Sequence, residues 1–102
     1  MSSYRLTRRA DQDLVDIYLY TLETFGLQQA ERYVEGVRSC FGLLADAPQI
    51  GRKADIIRSG VRRHEHGGHV ILYREEVERG GVLILAVIHA RMVPTLGLHD
   101  LA

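Results

Sequence analysis

The sequence predicts an α+β domain in which a two-helix hairpin packs on one face of an antiparallel sheet, in the order β-α-α-β-β-β. Three observations carry this prediction. Apolar residues recur every three or four positions between residues 8 and 46, and after Gly60 the period changes to two. The segments are joined by links short enough to demand hairpins. With 102 residues, 46% of them hydrophobic and 25% charged, one core is expected to serve a single domain over 1–102, ending in a tail over 92–102.

Residues 3–7 (SYRLT) alternate polar and apolar and read as a short strand, with Thr7 placed to cap a helix starting at Arg8. From Arg8 to Phe25 the stripe Leu14, Ile17, Tyr18, Leu22 and Phe25 marks one face of that helix. Asp11, Asp13 and Asp16 crowd its first half, where carboxylates suit the positive end of the helix dipole. Gly26 ends it. A second stripe begins at once, through Leu27, Ala30, Val34, Val37, Phe41 and Leu44, and Asp46-Ala47-Pro48 closes that helix. Gly36 and Gly42 inside it each cost about 1 kcal/mol against alanine, or mark places where another element comes close.

Residues 48–60 show no period and read as a loop, with room for one helical turn. Strands are then expected at 61–66, 69–75 and 82–91. Gly67-Gly68 suits a two-residue hairpin, which would set His66 opposite His69, His64 opposite Ile71 and Arg62 opposite Tyr73. Val82–Ile88 is apolar on both faces, so this strand should be central and covered on both sides.

Composition excludes several classes of function. Thirteen basic and thirteen acidic residues leave a net charge of zero, which rules out a polycationic nucleic-acid tail. One cysteine, Cys40, permits no internal disulfide. The N-terminal residues lack the apolar stretch of a signal peptide, and no run approaches the roughly 20 residues of a membrane span. A cytoplasmic location without membrane association is therefore expected. Neutrality hides an asymmetry: residues 1–51 carry five Arg against seven acids, and 52–102 carry eight basic residues against six. Within 52–63 alone, five basic residues face one acid.

Three constellations stand out. His64, His66 and His69 share one face of the predicted ribbon, an arrangement that invites a zinc reading. The exposed Gly-Gly tip, with neither carboxylate nor further cysteine to complete a site, argues against it, and no metal or cofactor is expected. Second, Arg58, Arg62, Arg63, Arg74 and Arg91 lie with Tyr73 and His89 on or beside the strands, where arginine suits phosphate or carboxylate recognition. Third, Tyr20 and Tyr33 fall off the main helical stripes and are candidates for a partner surface. Ser39 and Cys40 sit in a helix with no activating neighbour evident in the sequence, and Cys40 reads as a small buried hydrophobe.

Several segments together resemble a known family: YRLTRRADQDLVDIYLYTLETFG at the start, ADAPQIGR after the second helix, then IRSGVRRHEHGGHVILYRE and VLILAVIHAR. With Arg58-Gly60-Arg62, His69–Arg74 and Val87-His89 in this order, the chain resembles the ParE branch of the RelE/ParE toxin superfamily from residue 4 to about 91. The resemblance implies the toxin of a bacterial type II toxin–antitoxin pair, forming a hetero-oligomer with a ParD-like antitoxin. ParE-like toxins inhibit DNA gyrase by protein binding, with no cofactor, no catalytic residues and no sequence-specific nucleic-acid binding. Tyr20, Tyr33, Arg58, Arg63 and Arg74 are then the candidates for the antitoxin, and Arg62, Tyr73, His89 and Arg91 for the target. The RelE-like branch instead cleaves mRNA on the ribosome; here that role would fall to Arg62, His89 and Arg91. Zero net charge, a single lysine (Lys53) and no tyrosine after the last strand weigh against the nuclease, leaving His99 as the one late candidate. A third reading is an orphan member that binds a partner without toxicity.

Overall fold

A computed structural model describes residues 3–95. Strand β1 (Tyr4–Leu6) leads into helices α1 (Arg8–Phe25) and α2 (Leu27–Asp46), and these are followed by β2 (Arg52–Lys53), β3 (Arg62–His66), β4 (His69–Glu75) and β5 (Val82–His89). A 3-10 turn over Ala90–Thr95 succeeds β5. The sheet order is β1-β5-β4-β3-β2.

The α+β class and the helical hairpin are as the sequence predicts, while the sheet differs in two respects. Strand β1 runs parallel to β5, pairing Tyr4 with Val82 and Leu6 with Ile84, so the sheet is mixed. A two-residue strand, β2, adds to the far edge antiparallel to β3, within a segment that has no period to reveal it. Strand β5 is apolar on both faces, which suits an interior position, and β1 supplies its second edge partner.

Helix α1 begins where the sequence places it: Thr7 accepts a hydrogen bond from Ala10 N–H at 3.0 Å, and its own hydroxyl donates to the Leu85 carbonyl at 2.8 Å. One cap thus ties helix to sheet. Just beyond the end of β1, Asp13 of α1 accepts the Val87 N–H at 2.9 Å, satisfying a backbone donor on the edge of β5. Arg9 holds the same carboxylate from one turn earlier at 3.1 Å.

Two apolar clusters lie on opposite sides of the sheet. On the helical side Leu14, Ile17, Val37, Phe41 and Leu44 pack on Ile71, Tyr73, Val82, Ile84 and Val87. On the other side Val70, Leu72, Leu85, Ala86 and Ile88 are covered by Ala54, Ile57 and Val61. The non-periodic loop therefore covers the second face of β5. Between Leu72 and Tyr73 the β4–β5 register shifts, which lets Leu85 and Ala86 both join the second cluster. Phe25, expected in the buried stripe, is 67% exposed as the last residue of α1, next to the Gly26 cap.

Candidate functional site

The β3–β4 register matches the sequence prediction residue for residue: Arg62 pairs with Tyr73, His64 with Ile71 and His66 with His69. Gly67 alone takes positive φ at that turn (57°), at the first central position, as a type II′ hairpin requires. This register decides where each candidate side chain stands.

Tyr73 is wholly buried, so its assignment as a target contact is corrected. Its hydroxyl donates to the Pro48 carbonyl at 2.7 Å and accepts the Gly51 N–H at 2.9 Å, pinning the link between α2 and β2. Burial raises its phenol above the ordinary range despite the Gly51 N–H and the nearby Arg62 charge. Arg62 shares this duty, donating to the Gly51 carbonyl at 2.7 Å. A period of two cannot tell which side of the sheet a helix will cover, so the sequence alone leaves both residues on a solvated face.

His89 and Arg91 are exposed together, and the Arg91 N–H donates to His89 Nδ1 at 3.2 Å. Arg62 does not join them. It lies in the row of Tyr73 and Ile84, whereas His89 lies in the row of His69 and His66, four residues along β3. At about 3.3 Å per residue the rows are roughly 13 Å apart. Of the three residues named for a nuclease, His89 and Arg91 thus stand together and Arg62 stands in a different row.

The candidates for antitoxin contact also separate. Tyr20 is 66% exposed on α1, near the half-exposed Val15 and Leu19. Tyr33, on α2, turns inward to His66 and His69. Arg63 pairs with Leu72 and Arg74 with Leu83, on the sheet face away from the helices. Arg58 is partly buried in the loop that covers that face.

That face carries a surface whose apolar part the sequence does not reveal. Arg52, Lys53 and Arg63 surround a groove of about 480 Å³, with Ala54, Ile56, Ile57 and Val93 as its apolar lining. Ile56 is 98% exposed at its lip. Glu65 is shared by Arg52 at 2.6 Å and Arg63 at 3.1 Å. Burial is the largest single influence on the Glu65 carboxyl and raises it, but the hydrogen bonds and charges of Arg63 and Arg52 together outweigh it and hold the group below the usual range. The signal available in the sequence is the pair Ile56-Ile57 inside the most basic segment.

Among the described residues, no three His, Cys, Asp or Glu side chains are placed to hold a metal ion. His66 and His69 do share a face, but the Tyr33 ring stands 5.5 Å from each. No described helix is long and apolar enough to cross a membrane. His99 lies outside the described residues, as does the tail from residue 96 onward.

Residues 4–94 match the family model for the ParE toxin of the type II toxin–antitoxin system parDE. The chain belongs to the ParE toxin family. It is 37% identical to Toxin ParE1 of Caulobacter vibrioides over 92 residues, covering 90% of this chain and 93% of that protein. Toxin ParE1 of Mycobacterium tuberculosis is 35% identical over 91 residues, covering 89% and 92%. Among solved structures, the chromosomal ParDE toxin–antitoxin system of P. aeruginosa superposes with a TM-score of 0.71 at 24% identity, covering 87% of this chain and 96% of that one. The toxin–antitoxin complex RelBE2 of M. tuberculosis gives 0.62 at 26% identity, covering 86% and 96%. ParE and RelE relatives thus share this scaffold, and the scaffold alone does not choose between their activities.

Proposed function

We propose that this ParE family member acts by binding DNA gyrase, without enzymatic activity of its own, and is neutralised by a ParD-like antitoxin in the cytoplasm. The observation that carries the reading is the ParE family match across residues 4–94. The separation of Arg62 from His89 and Arg91 supports it, since a nuclease needs its charge-stabilising and proton-transfer groups on one phosphate. Net charge zero supports it too, because a neutral chain gains little electrostatic steering toward the ribosome.

For the antitoxin, the groove between Arg52, Lys53 and Arg63 offers an apolar lining inside a cationic rim. It suits a segment carrying aliphatic anchors beside acidic residues. His89 and Arg91, exposed at the end of β5, remain the candidates for gyrase. The test is a gyrase supercoiling assay with the purified chain, alone and with the antitoxin encoded beside it. Inhibition that the antitoxin reverses is the expected result. Undiminished supercoiling at stoichiometric excess of the chain overturns the gyrase reading.

A further inference from the structure

The end of the sheet beneath α2 holds a cluster of which the toxin reading uses only His89. His66, His69 and His89 occupy one cross-strand row of β3, β4 and β5, with the His69 and His89 rings 5.7 Å apart and edge-on. From α2, Tyr33 reaches the row: its hydroxyl lies 2.7 Å from His69 Nδ1 and 3.1 Å from the His66 carbonyl oxygen. Cys40, two turns further along α2, places Sγ 3.2 Å from His66 Nδ1. Two glycines make room for this interlock. A Cβ on Gly36 would stand 3.2 Å from His66 Nε2, and one on Gly67 would stand 2.7 Å from the Tyr33 hydroxyl.

Each Nδ1 in the row has a hydrogen-bond partner: the Cys40 thiol at His66, the Tyr33 hydroxyl at His69 and the Arg91 N–H, which donates, at His89. Burial raises the thiol and the phenol above their ordinary values, so both keep their protons to donate. A neutral imidazole meets these contacts without adding charge, and the Nδ1 of His89 is then the acceptor. A second proton on Nδ1 turns that atom into a donor. At His89 it then meets the Arg91 N–H, another donor, while Tyr33, whose hydroxyl donates to the His66 carbonyl, can still accept at His69; what the second proton adds is positive charge in a row of closely spaced rings.

We propose that Tyr33, His66, His69 and His89 form an acid-sensitive latch between α2 and the β3–β4 turn, closed when the imidazoles are neutral and loosened when they are protonated. The groups facing His69 are Tyr33 from α2, His66 from β3 and His89 from β5, with Cys40 behind His66 and His64 one step along the same face of β3. None of the hydrogen bonds to these rings comes from a carboxylate that would favour the charged form. Desolvation, then the neighbouring His89 and His66, holds His69 below the ordinary imidazole range. The latch does not depend on what the chain binds.

The test is nitrogen-15 NMR of the imidazoles in the full chain from pH 8 to pH 5, with amide exchange followed at Gly67 and Gly68. The expected result is a His69 midpoint below 6.5, Tyr33 resonances that move with it, and loss of amide protection at the turn by pH 5.5. His89→Asn, at an exposed position, should move the His69 midpoint upward. His69→Asn keeps an acceptor near the Nδ1 position without titrating, so its stability relative to wild type should improve as pH falls from 7.5 to 5.5. A His69 midpoint at or above 6.5, or turn protection and relative stability that ignore pH, overturns the latch.

Discussion

Removing a single oxygen atom from Tyr73 is expected to destabilise the whole domain. In Tyr73→Phe the ring stays in its fully buried position, so no cavity larger than a hydroxyl opens. Two backbone groups lose their partner: the buried Gly51 N–H and the part-buried Pro48 carbonyl. A buried donor left unsatisfied costs about 1–3 kcal/mol, and the carbonyl adds less where water reaches it, for a total of about 2–4 kcal/mol. The space around Gly51 is too tight for ready compensation, since a Cβ there would run into the Tyr73 hydroxyl and stand 2.8 Å from the Arg63 carbonyl oxygen. Urea denaturation reads the effect directly. At an m-value of about 2 kcal/mol/M the midpoint should fall by about 1–2 M with m unchanged. Arg62→Met should act on the same link, and the double variant should lose less than the sum, because both side chains hold the chain around Gly51. A midpoint shift below about 0.3 M, with gyrase binding lost instead, would refute this reasoning and restore Tyr73 as a contact residue.

The same contacts set other outcomes. Phe41→Ala, at a fully buried residue whose ring meets Tyr4 edge-on at 5.3 Å, should cost about 3–5 kcal/mol by thermal or chemical denaturation. Asp13→Asn keeps an acceptor for Val87 N–H and should change stability by less than about 1 kcal/mol at pH 7, whereas Asp13→Ala should lose about 1–3 kcal/mol. Desolvation raises the Asp13 carboxyl above its ordinary value, against the opposing pull of Val87 N–H and Arg9. Ionised Asp13 therefore opposes folding at neutral pH, and protonation relieves this as pH falls toward about 4, so wild type should gain on Asp13→Asn over that window. Ile56→Ser should leave the melting temperature within about 1–3 °C, being 98% exposed, yet weaken antitoxin binding measured by calorimetry. Reversing Arg52 and Arg63 to Glu should weaken it further and reduce its salt dependence.

Much of the fold is legible in the sequence because local chemistry and tertiary demand agree in this chain. Thr7 caps α1, the Gly67-Gly68 pair sets the β3–β4 register, and the doubly apolar Val82–Ile88 lies in an interior strand, between β1 and β4. The hidden features depend on contacts between segments far apart in sequence. A three-residue strand such as β1 carries no signal for its direction, and the parallel pairing with β5 exists only once α1 and α2 have turned the chain. Residues 54–61 lack a period because they cover a sheet face as a loop, one side chain at a time. The candidate site is legible in its residue types and only partly in its grouping. A period of two puts Arg62 and Tyr73 on one face correctly, but it carries no sign that α2 and the link after it bury that face. Gly36 is readable as a place of close approach, and His66 is what approaches; nothing lies near Gly42, and the structure gives no reason for a glycine there.

Whether this ParE family chain acts on gyrase or on mRNA is tested most directly by inducing it in growing cells, then measuring gyrase-linked DNA breaks and the integrity of translated mRNA in the same samples. Trapped gyrase on broken DNA with intact mRNA is the expected result, abolished when the antitoxin is co-induced. Codon-linked mRNA cuts that disappear in His89→Ala, with gyrase unaffected, would contradict it.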